Sequence, residues 1–471
     1  MRVPGISGTF LPFGIIGCYV SISAAGATTM EHFLDLLTNN LLRLVAFAFA
    51  LGVIIVVHEA GHLLMAKAFG VRVLTFSVGF GRRLWGVRRG ETEYRVSAIP
   101  LGGYVRLGGE NPEEATGDPR EFLNKPRWQR VLVYLAGPAM NVVLAIAIFA
   151  GLFMVGIEVM NLPDMPPLVG GVEEGSSAAK AGLQRGDLIL RVKGEAVDDW
   201  QDVVLALMGS PDQPLPLTVR RDGRTFQALV TPRRIPRYDM GDFAGLLPSI
   251  RPQIIQVSPG NPAAAAGFRS GDEIRAVDGR PIADSQAFVD AISKRSGERV
   301  EVEVARDGKP LTLAVVPKNG KIGVSIGLYQ RYGPGRAVIE AVRYNVQLVG
   351  DTFRILGKLL SRQLSPKGAL AGPLEIARQS GEAARLGFKY LLHLMGFISI
   401  SIAIMNLMPI PILDGGQIFI LMVESVIRRD LSVHLKEVIS RVGFVMILLL
   451  MFVVIYFDLM KSLPASLLPG S

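Results

Sequence analysis

His58 and His62 stand four residues apart with Glu59 between them, in the pentapeptide His58-Glu59-Ala60-Gly61-His62. On a helix successive residues turn by about 100°, so both imidazoles lie on one face. That spacing lets both rings reach a single Zn²⁺, with Glu59 beside the metal as general base for a hydrolysis. The chain holds 5 histidines, and two of them fall in this window with the glutamate correctly placed. A catalytic zinc takes three protein ligands and keeps one position open. The best candidate for the third is Asp414, in the segment Asn406-Leu407-Met408-Pro409-Ile410-Pro411-Ile412-Leu413-Asp414-Gly415-Gly416. There an apolar helix is broken by two prolines, which lack N–H donors, and by a double glycine. A solvent-exposed turn is the plain alternative for this stretch. An aspartate at such a break needs a cationic partner, and with the histidine pair present a split metal site is favoured.

The histidine motif ends an apolar run, LVAFAFALGVIIVV, that leads straight into it. Ionisable groups in a membrane segment are costly and by default mark function, so the expected reaction is hydrolysis inside a bilayer. The 471 residues are 49% hydrophobic, yet 19% are charged, and mean hydropathy is +0.37. That mixture indicates a few membrane spans plus at least one soluble domain. Four segments, 41–66, 131–157, 389–408 and 442–460, are apolar enough to span. The third carries His393, expected to pack between helices or lie near the interface, and Asn406. In the second, Asn141 either contacts the site or bonds a neighbouring helix. Net charge is +9. The basic residues are not gathered with aromatics into a nucleic-acid-binding face, so no nucleic-acid partner is expected. They cluster instead in the short loops after the first span, as at Arg82, Arg83, Arg88 and Arg89, and after the third, as at Arg428 and Arg429. The positive-inside rule puts both loops in the cytoplasm and the long segment 158–388 outside it. A single cysteine, Cys18, excludes an intrachain disulfide framework.

The external segment is internally duplicated. Gly186-Asp187 recurs as Gly271-Asp272, and the same ungapped offset of 85 relates Ala181-Gly182 to Ala266-Gly267, Asp222-Gly223 to Asp307-Gly308 and Pro232 to Pro317. A constant offset means two copies of one domain, at 158–240 and 241–322. Each copy predicts strands around a helix, near 200–208 and 285–294, and a hairpin with an Asp-Gly turn. The repeats resemble PDZ domains, which bind extended peptides by strand addition and capture chain termini; a spacer is the bland alternative. Residues 71–107 alternate β-branched and aromatic residues with turns. They form either a surface hairpin or a sheet that dips towards the membrane, where its edge can pair with an extended substrate. Residues 1–30 look like a secretory signal, but a start at Met30 is the preferred reading.

HEAGH, Gly137-Pro138-Ala139-Met140-Asn141 and NLMPIPILDGG together resemble the site-2 protease family of intramembrane zinc metalloproteases. The tandem PDZ insert, with Gly79-Phe80-Gly81 and Pro100-Leu101-Gly102-Gly103-Tyr104-Val105, resembles its RseP-like branch. The likeness runs from about residue 30 to about residue 460. It implies a polytopic α-helical membrane protein with four transmembrane helices, a cytoplasmic-side membrane-associated β element and two α+β PDZ-like domains. The protease core is then split into 31–157 and 389–471, and 323–388 serves as a linker with an amphipathic or re-entrant segment. The resemblance implies that His58, His62 and Asp414 bind Zn²⁺ and that Glu59 shuttles the proton. It also implies that Asn406 and Pro411 of the NxxPxP element bind substrate. Expected substrates are single-span membrane proteins, such as a membrane-bound anti-sigma factor already shortened by another protease, or signal-peptide remnants. The expected location is the bacterial cell inner membrane, with the PDZ pair on the periplasmic side, binding peptide or protein termini and screening substrates. The competing reading is a catalytically silent membrane scaffold that recruits extracytoplasmic partners through its PDZ pair. Such a scaffold needs neither HExxH nor LDGG.

Overall fold

A computed structural model describes residues 29–111, 116–158, 165–250, 252–258, 260–306 and 308–462. The expectations for residues 1–28, Cys18 among them, lie outside the described residues.

Among the described residues, four helices are long and apolar enough to cross a membrane: α1 (Thr29–Ala68, apolar from Asn40), α2 (Arg127–Val155), α10 (Phe388–Leu407) and α12 (Val433–Ser462). The helices α1 and α12 run past the apolar segments expected for them. A backbone hydrogen-bond ladder continues through polar residues as readily as through apolar ones. The central helix is α2, which packs against α1, α10, α7 (Pro334–Leu360) and α11 (Asp414–Ile427). Phe149 and Phe153 of α2 meet Tyr344 and Leu348 of α7 and Ile400 of α10 in one buried cluster. Ala46, Ala50 and Ile54 of α1 face Leu391, Met395 and Ile398 of α10, the small residues letting the backbones approach. By contrast only 6% of the apolar window of α12 is buried against the rest of the chain, which leaves its surface for lipid.

Between α1 and α2 the chain forms a folded sheet from β1 (Val73–Arg89) and β2 (Thr92–Leu107), in which residues 75–78 pair both with 103–106 and with 93–96, and residues 86–89 close a hairpin with 92–95. Its base alternates buried and half-buried residues, while Leu84, Trp85 and Val87 towards the tip are exposed.

Residues 165–330 fold into two α/β units that carry the duplication down to single side chains. Each unit has a one-turn helix, α3 (Ser177–Lys180) or α5 (Pro262–Ala265), and a longer one, α4 (Trp200–Met208) or α6 (Ser285–Ser293); the longer ones are capped by Asp199 and Asp284, whose carboxylates accept from Asp202 N and Ala287 N. Arg221 Nε donates to buried Asp187 at 2.6 Å, and Arg306 Nε donates to buried Asp272 at 2.7 Å. Both arginines also donate to a backbone carbonyl, of Gly182 and Gly267 respectively, at 2.8 Å. The units differ in their sheets. In the second unit, Gln253–Val257 joins Val324–Gly327 to the rest of one sheet. In the first, Val169–Val172 pairs apart, with Leu246–Pro248, a strand that follows residue 240 in the chain.

After the second unit, α7 buries Ala337, Ala341, Tyr344 and Leu348 and exposes Val338, Val342, Val346 and Phe353. After the one-turn α8 (Pro366–Ala369), α9 (Pro373–Leu386) lies against α1, its first N–H groups capped by Asp458 of α12.

Candidate active site

The last turns of α1 carry His58, Glu59 and His62, and α2 crosses them at close range. A Cβ on Gly61 would come within 2.3 Å of the Ala136 carbonyl oxygen. A Cβ on Gly137 would lie 2.3 Å from His62 Nε2 and 2.7 Å from His58 Nε2. Glycine at both positions is therefore a steric condition for the two imidazoles to sit between the helices. Pro138, one residue further on, lacks a helical N–H donor, yet α2 runs through it from Arg127 to Val155. His62 Nδ1 donates to the carbonyl of Val133, about one turn before Gly137 on α2, at 2.8 Å. On the other ring, His58 Nδ1 lies 3.1 Å from Asn141 Nδ2. Ser399 Oγ of α10 donates to the Asn141 carbonyl at 2.8 Å, so Asn141 both touches the site and ties two helices together.

Asp414 arrives from the opposite end of the sequence. After α10 ends at Leu407, the two prolines prevent helical continuation and the chain folds back tightly. A Cβ on Gly415 would meet the Leu407 carbonyl oxygen at 2.3 Å, and one on Gly416 the Ile410 carbonyl oxygen at 2.0 Å. The turn delivers Asp414 as the first residue of α11, where the positive end of the helix dipole favours a carboxylate. Asp414 Oδ2 is 3.2 Å from His58 Nε2, and Oδ1 is 3.5 Å from His62 Nε2. The two Nε2 atoms are 3.2 Å apart.

These separations test the fit of a metal. Ligand atoms about 2.0–2.1 Å from a tetrahedral zinc stand roughly 3.3–3.4 Å from one another, so the three side chains present a donor set of the right type and size. It is the group of three metal-type ligands that the fold brings together among the described residues. Both histidines are buried, at 7% and 9% exposure, which removes competing water from the rings.

Around this cluster, Asn406 Nδ2 lies 3.4 Å from His58 Nε2. Pro411 is held further along the turn, its carbonyl accepting from Gln417 Nε2 at 2.7 Å and its ring against Gly443 of α12. On the other side, β2 runs past Glu59. The backbone of Val105 hydrogen-bonds the Glu59 carboxylate, and a Cβ on Gly103 would lie 3.3 Å from Glu59 Cγ. His393 is buried away from the cluster, against Phe149 and with Nε2 3.3 Å from the Tyr344 hydroxyl.

The sequence pattern of peptidase family M50 matches residues 46–450, a span that contains every residue of the cluster. The chain belongs to peptidase family M50. Its relatives in that family include the regulator of sigma-E protease RseP of Escherichia coli (strain K12). That protein is 34% identical over 448 residues, an overlap of 88% of this chain and 98% of the relative. A putative zinc metalloprotease of Vibrio cholerae is 32% identical over 460 residues, covering 90% of this chain and 99% of the relative. With these relatives and four helices long and apolar enough to span, this M50 protein is an intramembrane zinc metalloprotease of the site-2 type. The sequence motifs include Gly61, Gly137, Gly103 and Val105 but give none of them a role beside the cluster. Two of these glycines face the histidine rings or their helix crossing, and that crossing leaves no local pattern.

Proposed function

We propose that His58, His62 and Asp414 hold the zinc and that Glu59 carries the proton in hydrolysis of peptide bonds within the bilayer. The observation that carries this reading is the convergence of the three ligand atoms, from α1 and from the start of α11, to mutual distances of 3.2–3.5 Å. Bound zinc supplies Lewis-acid activation of water and stabilises negative charge developing on the scissile carbonyl oxygen. Glu59 takes a proton from the attacking water and returns it to the leaving amine. The Asn406 amide stands close enough to the cluster to donate to the substrate backbone, and Pro411 stiffens the turn that presents it. A helical substrate hides its peptide bonds in i→i−4 hydrogen bonds, so it must unwind locally first. The strand β2, already beside Glu59, offers an edge on which the unwound segment can lie extended.

In this reading the site lies towards the cytoplasmic side of a bacterial inner membrane. The exposed Leu84, Trp85 and Val87 of the hairpin, with Arg82, Arg83, Arg88 and Arg89 around them, suit a leaflet interface rich in anionic lipid. The two α/β units are PDZ-like domains on the periplasmic side. They screen out substrates with bulky external domains and bind peptide or protein termini. The substrates are single-span membrane proteins. The name of the Escherichia coli relative points to control of a sigma factor, and so to a membrane-bound anti-sigma factor as one such substrate. Signal-peptide remnants are another.

Glu59→Gln tests this assignment in membranes that contain a tagged single-span substrate. Cleavage should fall by about two to four orders of magnitude while zinc stays bound. Cleavage at the normal rate would remove Glu59 from its role.

A further inference from the structure

A neutral imidazole carries one proton, on either Nδ1 or Nε2. If Nε2 is to offer its lone pair to a metal, the proton sits on Nδ1, and in a buried site that N–H needs an acceptor. His62 has one in the Val133 carbonyl, 2.8 Å away. The group opposite His58 Nδ1 is the Asn141 amide, with Nδ2 at 3.1 Å. Asn141 is fully buried, at 0% exposure, and its Oδ1 has no hydrogen-bond partner among the described residues. A buried amide oxygen without a donor is costly. The two ends of the amide fill the same space, so a half-turn about the terminal torsion exchanges them without moving the helix. After that exchange Oδ1 accepts the His58 Nδ1–H. Both histidines then carry the same arrangement, Nδ1 donating to an oxygen of α2 and Nε2 turned towards Asp414.

We propose that Asn141 is a positioning residue for His58, its side-chain oxygen accepting the Nδ1–H and so keeping the lone pair of Nε2 on the side of Asp414 and His62. This rests on the reading of His58 as a zinc ligand. The Ser399 hydroxyl, donating to the Asn141 carbonyl at 2.8 Å, makes α10 the support of the arrangement. Asn141 thereby joins the helix that carries Asn406 to the helix that carries the histidines.

The test is zinc affinity of the full chain, purified in detergent and titrated against a chelator, for the wild type and for Asn141→Ala, Asn141→Leu and Asn141→Asp. Leucine keeps the volume and removes the acceptor; aspartate keeps an acceptor and removes the donor. Asn141→Leu and Asn141→Ala should bind zinc about 10- to 100-fold more weakly. Asn141→Asp should bind at least as tightly as the wild type. Thermal unfolding of the zinc-free forms separates lost packing from lost orientation: Asn141→Leu should unfold near the wild type and still bind weakly. Wild-type affinity in Asn141→Leu, or affinity in Asn141→Asp as poor as in Asn141→Ala, would overturn the role of Asn141 alone. A wild-type chain that binds no zinc would overturn the metal reading itself.

Discussion

The two α/β units and the membrane core each set an aspartate beside glycine, and they treat it differently. Asp187 and Asp272 are fully buried, and each is met by one arginine, Arg221 or Arg306, with nitrogen–oxygen distances of 2.6–2.8 Å. The pairs are bidentate and the negative charge is balanced within the chain. Asp414, half-buried, is met less closely: no lysine or arginine pairs with it among the described residues, and its partners are the two imidazoles of His58 and His62, at 3.2 and 3.5 Å. A carboxylate that faces two imidazoles with no lysine or arginine beside it is a donor set suited to a cation from outside the chain. The buried Gly-Asp pairs of the duplicated units are neutralised within the chain, whereas the Leu-Asp-Gly-Gly turn presents the carboxylate we propose as a ligand, although both read in the sequence as an aspartate beside glycine.

This contrast can be broken from either side. The largest effect is expected at Gly137. Its Cβ would fall 2.3 Å from His62 Nε2, so Gly137→Val should push both imidazoles out of register and abolish cleavage and stoichiometric zinc together. A cleavage assay with metal analysis checks it, and an active, zinc-loaded Gly137→Val enzyme would show that the helix crossing does not set the site. A smaller effect is expected at Arg221. Removing it leaves Asp187 buried without its cation, and Arg221→Ala should cost about 3 kcal/mol of stability. Chemical denaturation should show that loss with zinc content unchanged. A fall in zinc content instead would mean that the first unit and the metal site are not separable.

The three side chains of the cluster were legible as candidates because zinc chemistry restricts residue type and spacing: His58 and His62 share a helix face, and Asp414 stands at a helix break. The duplication was legible because 85-residue repeats preserve the turn glycines and the Asp–Arg pairing. Other features arise only when distant elements meet. Gly61 and Gly137 matter because α1 crosses α2 there, and Gly103 because β2 passes Glu59. Asn141 was open between two roles, and the structure gives it both. The separate pairing of Leu246–Pro248 with Val169–Val172 was likewise hidden, since strand partners far apart in sequence share no local signal.

The most direct measurement is the zinc content of the purified wild-type chain beside Asp414→Ala. The account predicts about one zinc per chain in the wild type and its loss in the variant, which keeps both histidines but only two of three protein ligands. Stoichiometric zinc retained by Asp414→Ala would contradict it and place the third ligand elsewhere.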